Sequence, residues 1–283
     1  MFKTISNTLQ WIGRHFLGML FVLIALVVFL PKSEPKSNAN LQEISLVGPI
    51  VDASLVIKEI ESAQKDSAIK GVLFSINSPG GSVAPSIEIA YAISELSKQK
   101  PVVVYGENIV ASGGYYSAIW ADYIVANPGA IIGSIGVIMQ SPNFETLMDK
   151  IGIQTQVVKQ GAYKEAGTAL REWTTQERHE LEQLTQDTYD LFIQDVAKAR
   201  KLDVNNSSLY ADARIFSAKR AKSVGLIDEI GTKQTAKAKV ASLANIDDPK
   251  WKEKNKIEAM MERFATQNIL RIISYGYGLK SSF

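Results

Sequence analysis

Residues 71–98 read GVLFSINSPGGSVAPSIEIAYAISELSK, and this stretch decides the fold class. Val72–Ile76 is an almost continuous apolar run of strand length, and Ser86–Lys98 has the pattern of a helix. The turn between them contains one proline and two glycines. An apolar strand that passes through a tight turn into a helix is typical of an α/β domain with a largely parallel sheet.

The same alternation continues along the chain. Further strands are predicted at Ile44–Val47, Val102–Tyr105, Tyr123–Ala126, Ile135–Met139 and Thr155–Val158. Helices are predicted at Ala53–Lys65, Gly113–Ala121, Phe144–Ile151, Thr175–Lys201 (with Thr174 or Thr175 as its N-cap) and Ser217–Ser223. The sequence therefore predicts one α/β domain over residues 41–247.

The composition excludes several classes of function. The chain of 283 residues has a formal charge of +2 and no dense basic segment in its body, so we expect no nucleic-acid partner. It has no cysteine, no HExxH motif and no Asp/His cluster, and we therefore expect no metal and no cofactor. Its two histidines, His15 and His179, lie beside an apolar segment and on a charged helix, where neither suits a Ser-His-Asp triad.

An apolar run of fifteen residues, Phe16–Leu30, predicts an N-terminal membrane anchor over residues 1–30. At ~1.5 Å per residue the run spans about 22 Å, which is short of a ~30 Å hydrocarbon core. Extension back to Trp11 closes this gap, so residues 11–30 are expected to contact the bilayer. A cleaved signal peptide is the alternative. Residues 31–40, PKSEPKSNAN, are predicted to form a linker.

The C-terminal residues 248–283 predict an amphipathic helical extension. Apolar side chains recur there at roughly helical spacing: Ile257, Met260, Met261, Phe264, Ile269 and Ile273. A helix of this kind packs on the domain or on another subunit. A helix lying on the membrane surface is the alternative.

The segment ASGGYY, residues 111–116, is the first candidate for chemistry. Ser112 follows a predicted strand and opens a helical stretch, where free backbone N–H groups favour negative charge. The glycines after it let an acyl group approach, and the N–H of Gly113 can donate to an oxyanion. The alternative is a plain serine N-cap followed by a turn.

Two further segments complete the candidate site. In NSPGGS, residues 77–82, Gly80 and Gly81 suit a second oxyanion donor or the pairing of an extended peptide, and a structural turn is the alternative. In GAYKE, Lys164 can be a base only if the site lowers the ordinary lysine pKa of ~10.4 by burial or nearby positive charge. A solvated surface lysine is the alternative. Ser134 can orient that amine or simply pack in a turn.

These motifs, in this order, resemble the signal peptide peptidase A family, the serine peptidases that degrade signal-peptide remnants in bacterial membranes. The matching segments are GVLFSINSPGGSV, ASGGYYSA, IIGSIGVIMQSPN, GAYKEAGTALREWT and ARIFSAKRAKSVGLIDEIG. The resemblance covers roughly residues 41–231 and implies the short, single-unit form of the family. It implies a fold similar to Clp protease and crotonase, built of stacked ββα units and preceded by one transmembrane helix. It also implies a catalytic domain on the outer face of the bacterial cytoplasmic membrane.

By the same resemblance, Ser112 is the nucleophile and Lys164 is its general base. Ser134 supports the lysine, and Gly113 forms the oxyanion hole with Gly81, or with Gly80. Tandem members of the family divide base and nucleophile between two halves, whereas this chain carries both in one unit. We therefore expect a homo-oligomer in which the lysine of one subunit serves the serine of the next.

The predicted function is a membrane-anchored serine endopeptidase with a Ser/Lys dyad that cleaves signal-peptide remnants and other apolar peptides. One alternative is a related Ser/Lys peptidase dedicated to a single membrane protein. Another is a crotonase-like acyl-CoA enzyme, although such enzymes usually bring catalytic carboxylates. The last is an inactive membrane scaffold, which the presence of both Ser112 and Lys164 argues against.

Overall fold

The computed structural model describes residues 15–21 and 38–253. The chain separates into two units between Asn38 and Ala39. Residues 15–21 are helical and exposed, and within the two described stretches no helix is both long and apolar enough to cross a membrane. Most of the predicted anchor, and the predicted C-terminal helix from residue 254 onward, lie outside the described residues.

One seven-stranded sheet forms the centre of the domain that begins at Ala39. Its strands are β1 (Leu41–Val47), β2 (Gly71–Ser78), β3 (Val102–Ala111), β4 (Tyr123–Ala126), β5 (Ile131–Gly133), β6 (Ile215–Ser217) and β7 (Glu229–Ile230). The helices of the domain are α1 (Ser54–Lys65), α2 (Val83–Ser97), α3 (Gly113–Tyr116), α4 (Glu145–Lys150), α5 (Thr175–Arg200), α6 (Ala218–Ser223) and α7 (Lys233–Leu243), with a 3-10 helix at Val204–Leu209.

The sheet is almost entirely parallel, as the sequence predicts. Its strands follow the order β1-β2-β3-β4-β7, and each neighbouring pair in that order is parallel. The long strand β3 pairs with β4 in its first half and with β5 in its second half, up to Ala111. Only β6 is antiparallel among the described strands, and it pairs with β5. The end of β3 therefore projects beyond the main sheet, into the smaller β5–β6 pair.

Apolar packing covers both faces of the sheet. On one face, Phe74 and Val104 belong to the large core that also contains Ile60 of α1 and Ile89 of α2. On the other face, Leu73 and its neighbours pack against α7. Burial on both faces explains why the central strands are largely apolar instead of alternating regularly with polar residues. This mixed α/β sheet with its covering helices fits a Clp protease-like core.

Three predicted elements differ from the structure. Ile135–Met139 is not a strand, because β5 ends at Gly133 and Ile138 beyond it is 80% exposed. Thr155–Val158 is not a strand either, since its side chains face solvent and no described strand pairs with it. Both runs are rich in β-branched residues, but neither has the continuous pairing with a described strand that a sheet requires. The helix predicted at Gly113–Ala121 ends at Tyr116.

The other predicted elements are present with shifted ends, and the largest shift is in β3, which was predicted to end at Tyr105 and ends at Ala111. Helix α5 begins as predicted, with Thr174 as its N-cap and Glu177 completing a capping box. The sequence does not predict β6, β7 or α7. The described domain also continues past Asp247, because the carbonyl oxygen of Lys250 accepts the N–H of Asn40 at 2.8 Å.

Candidate active site

Ser112 lies between β3 and α3 in a conformation that few side chains adopt. Its φ is 51° and its ψ is −126°, and a non-glycine residue in such a region is strained by an amount of the order of 1–3 kcal/mol. A strained turn of this kind between a strand and a helix exposes nucleophilic serines in other folds. The backbone N–H of Ser112 donates to the carbonyl oxygen of Gly133 at 2.8 Å. Its hydroxyl does not cap α3, and the side chain is half-buried.

The peptide group between Ser112 and Gly113 has a fixed direction. The carbonyl oxygen of Ser112 accepts the N–H groups of Tyr115 and Tyr116, each at 2.9 Å. Because the two polar groups of a trans peptide point in opposite directions, the N–H of Gly113 points away from α3. Within residues 38–253 this N–H has no backbone acceptor. One free donor therefore lies directly beside the Ser112 hydroxyl.

The loop after β2 supplies a second free donor by the same logic. The carbonyl oxygen of Gly80 accepts the N–H of Ile50 at 2.9 Å, and Ile50 accepts the N–H of Ser82 at 2.7 Å. Residues Ile50 and Gly81 thus form a parallel β-bridge. The N–H of Gly81 shares its peptide with the Gly80 carbonyl, so it points away from Ile50, and it too has no backbone acceptor in the described chain.

The backbone N–H of Gly80 is not a free donor, because it takes part in the hydrogen bonds that hold this loop. Its N–H donates to the hydroxyl of Ser78 at 3.1 Å, and that hydroxyl donates to the carbonyl oxygen of Gly48 at 2.6 Å. The φ of Gly80 is 93°, which favours glycine. Of the two glycines that the sequence suggests for this role, Gly81 therefore has the available N–H. Ser78 supports this loop through both of these hydrogen bonds, a role that the sequence does not predict.

The two glycine loops lie against each other. A Cβ added to Gly80 would lie 2.6 Å from the nitrogen of Gly113 and 2.8 Å from the Cβ of Ser112. A Cβ added to Gly113 would lie 3.4 Å from the nitrogen of Gly81 and would overlap the hydroxyl of Ser86. The two free N–H groups and the serine hydroxyl consequently share one small region, where a reacting carbonyl oxygen fits between donors.

Ser134 occupies the equivalent place on the next strand. Ala111 of β3 is paired with Gly133 of β5, so Ser112 and Ser134 both follow directly after paired residues. The backbone N–H of Ser134 donates to the carbonyl oxygen of Arg214 at 2.9 Å, which holds it between β5 and β6. The structure thus brings Ser112, Ser134 and the glycines together at one end of the sheet.

Lys164 is exposed in this structure, and it makes no hydrogen bond or ion pair with Ser112 or Ser134 in the described chain. It lies in a turn at residues 160–167, within a segment that we call the lysine lobe, residues 143–174. Two hydrogen bonds close the base of the lobe. The N–H of Phe144 donates to Ala169 at 2.8 Å, and the N–H of Glu172 donates to the carboxylate of Glu145 at 2.8 Å.

The surface of the lysine lobe is unusually apolar for an exposed segment. Several of its large hydrophobic side chains are exposed: Phe144, Leu147, Ile151, Ile153, Val157, Val158, Tyr163 and Leu170. An exposed apolar set of this size is typical of a surface that contacts another protein, a membrane or a ligand. His179, by contrast, lies on the exposed face of α5 and is 3.2 Å from the amide of Gln183.

Comparison with known proteins decides the family. The model of peptidase family S49 matches residues 94–247. The chain belongs to peptidase family S49. This confirms the family and the enzyme class predicted from the sequence, a serine peptidase. The matched range contains Ser112, Ser134 and Lys164 but begins after Gly81.

Three relatives of this S49 peptidase show how far the similarity extends. A Methanocaldococcus jannaschii protein provisionally named as a protease is 43% identical over 198 residues, 70% of this chain and 64% of the relative. A Synechocystis protein provisionally named as a protease is 37% identical over 216 residues, 76% of this chain and 78% of the relative. An Enterococcus faecium protein provisionally named as signal peptide peptidase SppA is 33% identical over 217 residues. The alignments span less than two thirds of the M. jannaschii and E. faecium proteins, 64% and 63%.

Proposed function

We propose that this S49 peptidase is a membrane-anchored serine endopeptidase in which Ser112 is the nucleophile and Lys164 is the general base. One observation carries this proposal: the hydroxyl of Ser112 lies beside two N–H groups, of Gly81 and Gly113, whose peptides are fixed by other hydrogen bonds. Preorganised donors of this kind stabilise the oxyanion of an acyl-transfer reaction without reorganising during the step.

The proposed reaction uses Ser112, Lys164 and the two free N–H groups. Lys164 accepts the proton of the Ser112 hydroxyl while its oxygen attacks the carbonyl carbon of the scissile peptide. The carbonyl oxygen becomes negatively charged and accepts hydrogen bonds from the backbone N–H groups of Gly81 and Gly113. The C–N bond then breaks, and the ammonium of Lys164 protonates the leaving amine. Water attacks the acyl-serine with Lys164 again as base, which releases the second product and restores Ser112.

We further propose that Lys164 is supplied by a neighbouring copy of the chain. Within one chain Lys164 is exposed, whereas a lysine that acts as a base has to lose its proton and is helped to do so by burial. The exposed apolar side chains of the lysine lobe favour contact with another subunit. Docking of the lobe on the next subunit would bury Lys164 near Ser112 and Ser134, where the Ser134 hydroxyl can orient its amine.

The proposed substrates are signal-peptide remnants and other apolar peptides near the cytoplasmic membrane. The name of the E. faecium relative supports this substrate class, and the apolar run at Phe16–Leu30 supports attachment to the bilayer. We place the catalytic domain on the outer face of that membrane, in a Clp protease- and crotonase-like ring of stacked ββα units. A peptidase dedicated to one membrane protein would use the same site.

Two measurements test this function. The full chain in detergent is treated with a fluorophosphonate probe, and peptide mapping is expected to find the label on Ser112. Turnover of a signal-peptide library is then compared for wild type, Lys164→Ala and Lys164→Arg. Both variants are expected to be inactive, because neither alanine nor a permanently charged guanidinium accepts the proton. Near wild-type kcat in Lys164→Ala would overturn the mechanism. Absence of label on Ser112 would favour the alternative of an inactive membrane scaffold.

A further inference from the structure

The residue next to the proposed base is a glutamate, and other residues of the lysine lobe form ion pairs with its carboxylate. Glu165 accepts a hydrogen bond from Lys159 at 2.6 Å, and its second partner is Arg171 at 3.4 Å. Both cations come from the lobe itself, one before and one after the turn that carries Lys164. Lys164 has no ion-pair partner among the described residues. Glu165 is therefore paired with these two cations and not with the adjacent lysine.

Arg171 is itself held in place by the start of α5. Its guanidinium donates to both carboxylate oxygens of Glu177, at 2.8 Å and 2.7 Å, and the side chain of Glu177 is 3% exposed. Glu177 also accepts the backbone N–H of Thr174 at 2.9 Å, as part of the capping box of α5. A bidentate pair with a buried, capped carboxylate fixes the direction of a guanidinium. The chain Lys159–Glu165–Arg171–Glu177 thus links the turn of Lys164 to the long helix.

This arrangement matters because an ion pair would disable the base. An opposite charge within about 4–6 Å favours the charged form of a lysine, whereas a base has to be neutral. Glu165 is one residue from Lys164 and has enough rotational freedom to approach its amine if it lost its partners. The pKa of Glu165 lies below its ordinary value, first because of Lys159 and next because of Arg171, as expected for a carboxylate that these cations hold.

We propose that Lys159 and Arg171 are positioning residues that hold the Glu165 carboxylate away from the amine of Lys164, so that the base has no ion-pair partner in its own lobe. The inference rests on the proposed role of Lys164. The charged groups around this turn are Lys159, Glu165, Arg171 and Glu172 of the lobe, together with Glu145 of α4 and Glu177 of α5. Of the carboxylates, only Glu165 is adjacent to Lys164 in the chain.

The test replaces Lys159, which holds Glu165 without touching the start of α5. In Lys159→Gln the pH profile of kcat/KM is expected to shift upward by about one pH unit, with about tenfold lower activity at neutral pH and recovery at high pH. Adding Glu165→Gln to that variant is expected to restore the profile. Lys150→Gln is the matched control, because it removes one positive charge from an exposed lobe lysine without a described ion pair.

A second measurement does not depend on peptidase activity. The rate at which acetic anhydride acetylates Lys164, followed by mass spectrometry across pH in the assembled protein, reports directly on the unprotonated amine. This rate is expected to fall in Lys159→Gln and to recover in the double variant. A Lys159→Gln profile that superimposes on that of Lys150→Gln, or a loss that Glu165→Gln does not restore, would overturn the inference. Activity that persists in Lys164→Ala would instead overturn the proposed function, and the acetylation rates would still decide whether Lys159 controls the amine.

Discussion

Ser112 and Ser134 follow directly after the paired residues of two neighbouring parallel strands, and both have a positive φ, 51° and 50°. The pairing of Ala111 with Gly133 sets this relationship, and the N–H of Ser112 donates to the Gly133 carbonyl at 2.8 Å. Two hydroxyl groups consequently lie at the same end of the sheet. We propose that one is the nucleophile and that the other orients the amine that activates it.

Ser134→Gly tests the second of these roles. Glycine accepts the positive φ at this position, so the variant removes the hydroxyl without straining the backbone. We expect kcat/KM to fall by about 10- to 100-fold, a smaller loss than removal of the general base itself would cause. The thermal midpoint should not fall below the wild-type value. Unchanged kinetics would show that Ser134 only packs in its turn.

Replacing Ser112 should separate activity from stability. Ser112→Ala and Ser112→Gly both remove the nucleophile, and we expect turnover to be lost in both. Only glycine relieves the strain of a φ of 51° and ψ of −126°. If about 1 kcal/mol of strain is relieved, Ser112→Gly should melt about 2–4 °C above Ser112→Ala in calorimetry of the folded domain. Equal midpoints would mean that the strand-to-helix turn stores no strain.

Gly81→Ala should damage the oxyanion site more than it damages the fold. A Cβ at this position would overlap the carbonyl oxygen of Ile50. The backbone at Gly81 would have to move to relieve this overlap, and its free N–H would move with it. A displaced donor typically costs about 100-fold in kcat. Gly129→Ala is the matched control, because a Cβ there meets nothing nearer than the side-chain oxygen of Asn127 at 3.5 Å. Similar kcat values for the two variants would exclude Gly81 from the site.

Mixed assemblies should reveal whether two copies share one site. Ser112→Ala and Lys164→Ala subunits are each expected to be inactive alone. If Lys164 serves the neighbouring Ser112, mixing them after partial dissociation should restore part of the activity, since some interfaces then pair an intact serine with an intact lysine. Native mass spectrometry checks that mixed assemblies form. Verified mixed assemblies without activity would place both residues of the dyad in a single chain.

The Glu177–Arg171 pair should make stability depend on acid pH. Its bidentate partner Arg171, and then the N–H of Thr174, lower the pKa of Glu177 to about 2. Since this folded-state pKa is below the ordinary value of ~4.3, the stabilisation is complete above that value and is lost as pH falls from there towards about 2. Thermal midpoints of wild type and Glu177→Gln should therefore differ most above pH 5 and converge towards pH 2. A difference that does not change with pH would contradict this.

The sequence by itself determined the parallel α/β sheet and the motifs of the family. Strands buried on both faces, such as Val72–Ile76 with Ser75 as its one polar residue, are almost continuously apolar, so local composition reveals them. The N-terminal cap of α5 was also predictable from the sequence, because Thr174 and Glu177 interact within one helical turn. The β-branched run Thr155–Val158 was misleading, since an exposed segment and a strand can have the same residue types.

Only the tertiary structure decided which backbone groups are free at the site. The direction of the Gly81 N–H depends on Ile50, which is distant in sequence and binds the Gly80 carbonyl. The sequence named Gly81 and kept Gly80 as the alternative, whereas in the structure the bond from Gly80 to Ser78 occupies the Gly80 donor. The partners of Glu165 likewise depend on how the lysine lobe folds back on α5. Hydrogen-bond direction is a property of three-dimensional pairing, and residue types alone do not specify it.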